Sequence, residues 1–277
     1  MKKLARSRKT ECQKAFPLTK SPLVQCITNE ITCESMANAL LYVDAKPVMA
    51  DDPREFKEFF AQADGLLLNL GHISKTREAN LREASRYAKE VGQPTVVDLV
   101  GIAATKLRQE LGRYLYENEP DVIKGNVSEM RAFCQLASSG RGVDGSSRDQ
   151  SEAALKELAA ALEEHAAEKE IVFLATGEKD LIVSKDATLL LENGAAELDR
   201  FTGTGDIVGS LIAALLGTGI KPLGAVIAAV SYFNICGENA AAKTSGLADF
   251  RQETLNQLSL LAAEEPEWFE RIEGAEK

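Results

Sequence analysis

The order of the hydrophobic segments constrains the fold of this chain more than any other feature. From Leu23 onward, short apolar runs alternate with stretches whose apolar residues recur at helical spacing. This order predicts an α/β fold with a mostly parallel sheet, because a crossover segment must separate consecutive parallel strands. The strands are predicted at residues 23–27, 47–49, 65–70, 95–100, 121–123, 171–175, 181–184 and 189–191.

Helix start signals fall between these strands. Asp52, Pro53 and Glu55 predict a helix start with a side-chain cap, a proline in the first turn and a closing glutamate. The turn around residues 177–180 predicts a hairpin, and the chain after Asp206 is predicted to be wholly helical. Further helices are predicted at residues 74–91, 106–118, from 128 onward, and 150–168.

Composition limits the class of protein. The chain has 277 residues, 45% of them apolar, and a formal net charge of −10, which argues against a broad nucleic-acid surface. No apolar stretch long enough for a signal peptide or a membrane span follows the basic start of the chain. We expect a frayed tail over residues 1–20 and a single domain over 21–277, with an exposed insertion at 138–149. The five cysteines are widely spaced, which favours a reducing cytoplasm.

Polar residues follow the carboxyl ends of several predicted strands. Asp98 ends one strand, Lys124 and Asn126 end the next with Glu129 just beyond, and Thr176 ends a third. Ligands of open α/β sheets bind at this edge, where loops and helix N-termini meet. Carboxylates, a cation and a hydroxyl on one rim are the groups that magnesium-assisted phosphoryl transfer requires.

A glycine-rich turn enters a helix near the end of the chain. Thr202, Gly203, Thr204 and Gly205 precede Asp206, and an apolar segment follows. Glycines allow a ligand to approach the backbone, and the free N–H groups of a first helical turn favour an anion. The turn therefore predicts an anion-binding site with a carboxylate placed to act as a base.

Each of these residues also has an ordinary structural interpretation. Asp98 would cap the following turn, and Glu129 and Asp206 would be first-turn carboxylates that the helix dipole favours. Lys124 would be a solvated charge and Thr176 a turn residue. Their placement at successive strand ends favours the functional interpretation.

Short motifs that contain polar residues or glycines occur in segments 26–29, 47–53, 69–71, 97–98, 123–126, 175–178 and 202–205. These segments resemble the hydroxyethylthiazole kinases, in order, from about residue 22 to residue 245. This resemblance implies a ribokinase-like three-layer sandwich, with a mostly parallel sheet and helices on both faces. It also implies ATP- and Mg²⁺-dependent phosphorylation of 4-methyl-5-(2-hydroxyethyl)thiazole, a salvage step toward thiamine, by a homotrimer with its thiazole pocket at a subunit boundary.

The resemblance assigns a role to each candidate residue. Asn29, Met49 and Gly203 would line the thiazole pocket, although core packing alone would explain Met49. Asp98 and Glu129 would organise the metal ion, and Asp206 would be the catalytic base. The positions that would contact ATP are Lys124, Asn126, Thr176 and Gly205.

The chain departs from the family pattern at five of these or neighbouring positions. Asp206 replaces the usual cysteine, which favours general-base catalysis because a thiol is mostly protonated near neutral pH. Lys124 replaces an arginine and loses its bidentate geometry. Leu99 lies where the family has a proline, Gln25 where a histidine is common, and His72 where a threonine is often found. His72 would either reshape the acceptor pocket or face solvent.

Three alternative functions remain open at this stage. A dehydratase that repairs hydrated NAD(P)H on the same fold would also carry a glycine-rich turn ending in aspartate. A kinase for another small heterocyclic alcohol would keep the chemistry and change the acceptor. A non-catalytic thiazole or nucleotide sensor would bind ligand without turning over ATP.

Overall fold

The computed structural model describes residues 1–137 and 147–277, and within these residues the strands form one ten-stranded sheet. The strands are β1 (Lys2–Lys3), β2 (Leu23–Ile27), β3 (Lys46–Val48), β4 (Gly65–Asn69), β5 (Thr95–Asp98), β6 (Val122–Asn126), β7 (Val172–Thr176), β8 (Asp180–Val183), β9 (Thr188–Leu191) and β10 (Gly274–Glu276). Their order is β1-β10-β9-β8-β7-β6-β5-β4-β2-β3.

Helices connect most of these strands. The α-helices are α1 (Arg6–Cys12), α2 (Cys33–Tyr42), α3 (Phe56–Phe60), α4 (Lys75–Val91), α5 (Lys106–Glu117), α6 (Val127–Phe133), α7 (Glu152–Glu168), α8 (Thr204–Gly217), α9 (Pro222–Lys243) and α10 (Leu247–Glu264). Short 3-10 turns cover Pro53–Glu55, Ser147–Gln150, Ala196–Arg200 and Trp268–Arg271.

The sheet is mixed, and the polar residues that follow predicted strands lie at the ends of its parallel strands. Strands β7, β6, β5, β4, β2 and β3 run parallel, so the carboxyl ends of β4, β5, β6 and β7 share one edge. Strands β8, β9, β10 and β1 continue the sheet in antiparallel pairs, and the predicted hairpin is β7–β8. The predicted α/β fold is confirmed.

Alternate residues of the strands point into two separate hydrophobic cores. On one face, side chains such as Val24 and Leu67 pack with α2, α8, α9 and α10. On the other face, side chains such as Leu66 and Val97 pack with α3, α4, α5, α6 and α7. Helices thus cover both faces of the sheet, and the fold is a three-layer sandwich.

Local signals in the sequence explain where several helices begin and end. Asp52 accepts a hydrogen bond from the Arg54 N–H, as its predicted capping role requires. The Ser74 hydroxyl accepts from the N–H of Arg77 at the start of α4, and Gly92 ends this helix in the left-handed conformation.

The first twenty residues differ from the frayed tail that the sequence predicts. Strand β1 pairs with β10, and α1 follows it directly. Leu4, Cys12 and Phe16 are buried, because they belong to the core on the α9 face of the sheet. The prediction was wrong since the apolar residues of this segment are too few for a clear sequence signal. A single domain over residues 21–277 stays a prediction, and most of the predicted insertion at 138–149 lies outside the described residues.

The C-terminal segment also corrects the sequence prediction. The chain after Asp206 is not wholly helical, because β10 pairs with both β9 and β1. Trp268 is fully buried, and its ring lies 5.0 Å from that of Tyr232, edge to face. The Trp268 indole N–H donates to the Phe16 carbonyl at 3.3 Å, so the two ends of the chain pack together.

We expect Trp268→Ala to lower the free energy of unfolding by about 3–5 kcal/mol, the usual cost of truncating a buried aromatic side chain. Urea denaturation at a fixed protein concentration measures this change. Leu107→Ala is the control, because Leu107 is 44% exposed. A loss for Trp268→Ala as small as that of the control would contradict the packing of the C-terminal segment.

Candidate active site

The rim at the carboxyl ends of the parallel strands carries a row of polar side chains. Asn69, Asp98, Asn126 and Thr176 are the last residues of β4, β5, β6 and β7. Strand register places Asn69 beside Asp98, and Asn126 beside Thr176. The structure therefore brings the predicted strand-end residues to one edge of the sheet.

Helix α8 brings Asp206 to this rim. Gly203 precedes the helix with φ 102, a conformation that favours glycine, and Asp206 lies in the first turn with 8% of its surface exposed. Asp206 Oδ1 accepts from Asn69 Nδ2 at 2.8 Å. Its Oδ2 accepts from Asn29 Nδ2 at 3.2 Å and from the Thr32 hydroxyl. Neutral donors from the segment after β2 and from the end of β4 thus hold the carboxylate.

Asp98 and Lys124 form a buried ion pair beside this helix. The distance from Lys124 Nζ to Asp98 Oδ2 is 2.6 Å, and the two side chains are 3% and 0% exposed. Burial raises the pKa of Asp98, although the Lys124 ammonium lowers it, and the charge of Asp206 raises it further. A Cβ added at Gly205 would lie 3.4 Å from Lys124 Nζ, so the glycine-rich turn passes close to the ammonium.

Glu129 caps the start of α6, as its ordinary structural interpretation predicts, and its carboxyl group also has a raised pKa. It forms a capping box with Asn126, because Asn126 Oδ1 accepts from the Glu129 N–H and Glu129 Oε2 accepts from the Asn126 N–H at 2.7 Å. Its Oε1 accepts from the Gly101 N–H at 2.7 Å. Burial and the charge of Asp98 nevertheless raise the pKa of Glu129 to about 7.

The donor set of Asp98 and Glu129 fits a divalent cation that a nucleotide also holds. Asp98 Oδ1 is buried without a hydrogen-bond partner among the described residues. Both carboxyl groups have a raised pKa, so a nearby cation would stabilise their charged forms. Within residues 1–137 and 147–277 no cluster of three His, Cys, Asp or Glu side chains is arranged as a metal site. Phosphate oxygens and water would have to complete the coordination of such a cation.

The remaining candidate residues lie around the same rim. Asn29 is buried, and Met49 is half-buried and packs against the core on the α8 face. A Cβ at Gly203 would lie 2.9 Å from the Thr32 methyl carbon, so this turn contacts the segment after β2 closely. The Thr176 hydroxyl donates weakly to the Gly125 carbonyl at 3.4 Å.

The departures from the family pattern have distinct surroundings. Gln25 is buried and donates to the Ala50 carbonyl at 3.0 Å, which ties β2 to the segment after Met49. Leu99 is buried in the core between the sheet and α5. His72 has φ 51, and its half-exposed ring lies 3.9 Å from the Glu30 carboxylate. His72 thus lies on the outer side of the loop that follows β4.

Three residues of the site were missed at the sequence level. Asn69 could have been found by the rule that found Asp98, because it also ends a parallel strand. Thr32 carried no signal, since only the folded chain brings it to Asp206. Arg108 donates to the carbonyls of Leu70 and Val100, so it joins the loops after β4 and β5.

Fold and site together define a class of protein, the ribokinase-like small-molecule kinases. A ribokinase-like superfamily protein of Enterococcus faecalis matches the fold with a TM-score of 0.61, at 15% identity over 90% of this chain and 93% of that chain. The structure of a hydroxyethylthiazole kinase protein from Pyrococcus horikoshii matches with a TM-score of 0.83, at 26% identity over 99% of this chain and 100% of that chain.

Sequence comparison defines the family within this class. The model of the hydroxyethylthiazole kinase family matches residues 18–264. The hydroxyethylthiazole kinase of Lacticaseibacillus casei is 63% identical over 268 residues, which cover 96% of this chain and 95% of that protein. The chain belongs to the hydroxyethylthiazole kinase family, and the resemblance seen in the sequence is confirmed. None of the helices in the described part of the chain has the length and apolar character to cross a membrane.

We expect Lys124→Met to lower the free energy of unfolding by about 3–5 kcal/mol, because it leaves the buried Asp98 carboxylate without its charged partner. The double variant Asp98→Asn with Lys124→Met should be more stable than Lys124→Met alone, since it removes both charges. Urea denaturation of the three proteins without nucleotide measures both effects. A double variant that is no more stable than Lys124→Met would contradict the buried ion pair.

Proposed function

We propose that this protein transfers the γ-phosphoryl group of ATP to the primary hydroxyl of 4-methyl-5-(2-hydroxyethyl)thiazole. The observation that carries the proposal is the placement of Asp206. It is a buried carboxylate in the first turn of α8, beside a glycine-rich turn and near the Asp98–Lys124 pair. Family membership supports the thiazole alcohol as acceptor, since the relatives are named for this substrate.

In the proposed reaction, Asp206 takes the proton of the substrate hydroxyl while the hydroxyl oxygen attacks the γ-phosphorus. The new P–O bond forms as the bond to the leaving oxygen of ADP breaks. The neutral side-chain donors of Asn29, Thr32 and Asn69 fix the orientation of the Asp206 carboxylate, which a general base requires. The free N–H groups at the start of α8 stabilise negative charge on the transferring group.

Two sets of residues would bind the substrates. We assign Asn29, Met49 and Gly203 to the thiazole alcohol, which the contact between Gly203 and the segment after β2 supports. The residues that we assign to ATP are Lys124, Asn126, Thr176 and Gly205. Their positions at the ends of β6 and β7 and at the start of α8 support this assignment.

Asp98 and Glu129 would hold Mg²⁺ together with the phosphates. The ion would neutralise charge on the phosphate oxygens during transfer. The two protein carboxylates would position the metal-bound nucleotide, and Lys124 would keep the Asp98 side chain in place. The five cysteines all lie in the described residues as free thiols, which supports our proposal of a cytoplasmic protein in thiamine salvage.

We expect Asp206→Asn to lower kcat by about 100-fold or more, because amide replaces the only general base that we assign. The affinity for Mg-ATP should change little. A coupled assay of ADP release with the thiazole alcohol measures kcat, and calorimetry measures nucleotide binding.

Asp249→Asn is the matched control, because Asp249 is also a first-turn carboxylate, on α10, but it is exposed where Asp206 is buried. Near-normal kcat in Asp206→Asn would refute the assignment of the base. Turnover with a pyrimidine alcohol but not with the thiazole alcohol would identify a different acceptor. Formation of NADH from hydrated NADH would indicate a dehydratase.

We also propose that the protein is a homotrimer whose acceptor pocket lies at a subunit boundary. Ile31 supports this proposal, because it is 76% exposed and only two residues from Asn29. Sedimentation equilibrium should give a mass near three times the 30.0 kDa of one chain. Ile31→Lys should shift the mass toward that of the single chain, and a monomeric parent protein would contradict the proposal.

A further inference from the structure

We propose that Thr32 is a positioning residue for Asp206, in addition to the residues that contact substrate. Its hydroxyl donates to Asp206 Oδ2 and holds the carboxylate in the orientation from which it accepts the substrate proton. This inference rests on the proposed function, because it assumes that Asp206 is the base.

The hydroxyl of Thr32 is directed at Asp206 and not at the helix that it precedes. Thr32 is the N-cap residue of α2, a position where threonine usually accepts from a backbone N–H of the first turn. In the part of the chain that the structure describes, its side chain makes no such cap bond. A residue that gives up a stabilising cap bond in order to contact a buried carboxylate points to a role at that carboxylate.

The other nearby acceptors compete weakly for the hydroxyl proton. Asn29 Oδ1 lies 3.2 Å from the hydroxyl, but it already accepts from the backbone N–H groups of Ile31 and Thr32, each at 3.0 Å. The Met36 sulfur lies 3.8 Å away and is a weak acceptor. Asp206 Oδ2 is the nearest acceptor and the only charged one of the three, so the proton belongs to this contact.

The methyl group of Thr32 fixes the direction of its hydroxyl. Thr32 is 3% exposed, and its Cγ2 faces Gly203, where an added Cβ would lie only 2.9 Å away. A β-branched side chain has few allowed rotamers, so packing of the methyl group on one side restrains the hydroxyl on the other. Thr32 therefore connects the glycine-rich turn to the base.

Asp206 keeps two further donors when the hydroxyl is lost. Asn69 Nδ2 binds the other oxygen, Oδ1, while Asn29 Nδ2 shares Oδ2 with Thr32. Without Thr32, only the longer 3.2 Å contact from Asn29 restrains Oδ2, and the carboxylate gains rotational freedom. The expected consequence is a lower kcat with substrate binding largely preserved.

The test compares Thr32→Val, which keeps the shape and removes the hydroxyl, with Thr32→Ser, which keeps the hydroxyl. We expect Thr32→Val to lower kcat about 10-fold or more, the usual effect of losing a hydrogen bond to a charged group, with little change in KM for ATP or the thiazole alcohol. Thr32→Ser should retain most of the activity. In the Asp206→Asn background, Thr32→Val should have little further effect, because both changes act on one group.

The matched control is Thr188→Val. Thr188 also donates to a carboxylate, Glu163 Oε1, at 2.7 Å, but it lies in β9 and not among the rim residues. Thr32→Ala provides a second hydroxyl-free variant if the valine variant does not fold. Thermal unfolding confirms that each compared protein is folded.

Four results would overturn the inference. Normal kcat in folded Thr32→Val or Thr32→Ala, together with a large loss in Asp206→Asn, would refute the role of Thr32 and leave the proposed base intact. An equal loss in Thr32→Ser and Thr32→Val, or a rise in KM for the alcohol at unchanged kcat, would indicate packing or substrate contact. Normal kcat in Asp206→Asn would remove the proposed function and this inference with it.

Discussion

The burial of helix α8 across the parallel strands is the constraint on which the rest of the site depends. Every residue of α8 from Asp206 to Gly217 is buried, and the helix packs on β2, β4 and β5. A helix held along its whole length cannot move its first turn independently, so hydrophobic packing sets the position of Asp206. Burying that carboxylate alone would be costly, and the side-chain donors of Asn29, Thr32 and Asn69 offset the cost.

Three buried carboxylates at the rim have different hydrogen-bond and ion-pair partners. These differences support the different roles that we propose for them. In the described part of the chain, the donors to Asp206 are the neutral side chains of Asn29, Thr32 and Asn69, and Asp206 forms no ion pair. Asp98 has a lysine on one oxygen and no partner on the other within the described residues. Glu129 receives two backbone N–H groups and still has a raised pKa of about 7. The raised pKa of Asp98 and of Glu129 supports our proposal that a divalent cation binds there, whereas we propose proton transfer for Asp206.

The sequence predicted the parts of the structure that depend on local patterns. Hydrophobic periodicity located the strands of the parallel sheet, and the strand-end rule brought Asp98, Lys124 and Thr176 to one rim. Segments with weak patterns were predicted wrongly, because β1 and β10 contain only two and three residues and form by pairing with each other and with β9. Thr32 could not be found, since 174 positions separate it from Asp206 and no periodic pattern joins the two. The roles of the individual rim residues stay predictions, because position at an edge does not establish chemistry.

The acceptor pocket and the base are parts of one packed unit. Asn29, which we assign to the acceptor, donates to Asp206, and Gly203, which we also assign to the acceptor, contacts the methyl group of Thr32. A change in the size of the pocket at either position would therefore move a donor of the base as well. Interactions that share a partner are not independent, so acceptor choice and turnover are coupled in this site. The loop that carries His72 is coupled to the same unit, because the Gly71 N–H donates to Asn69 Oδ1 at 2.8 Å and Asn69 in turn donates to Asp206.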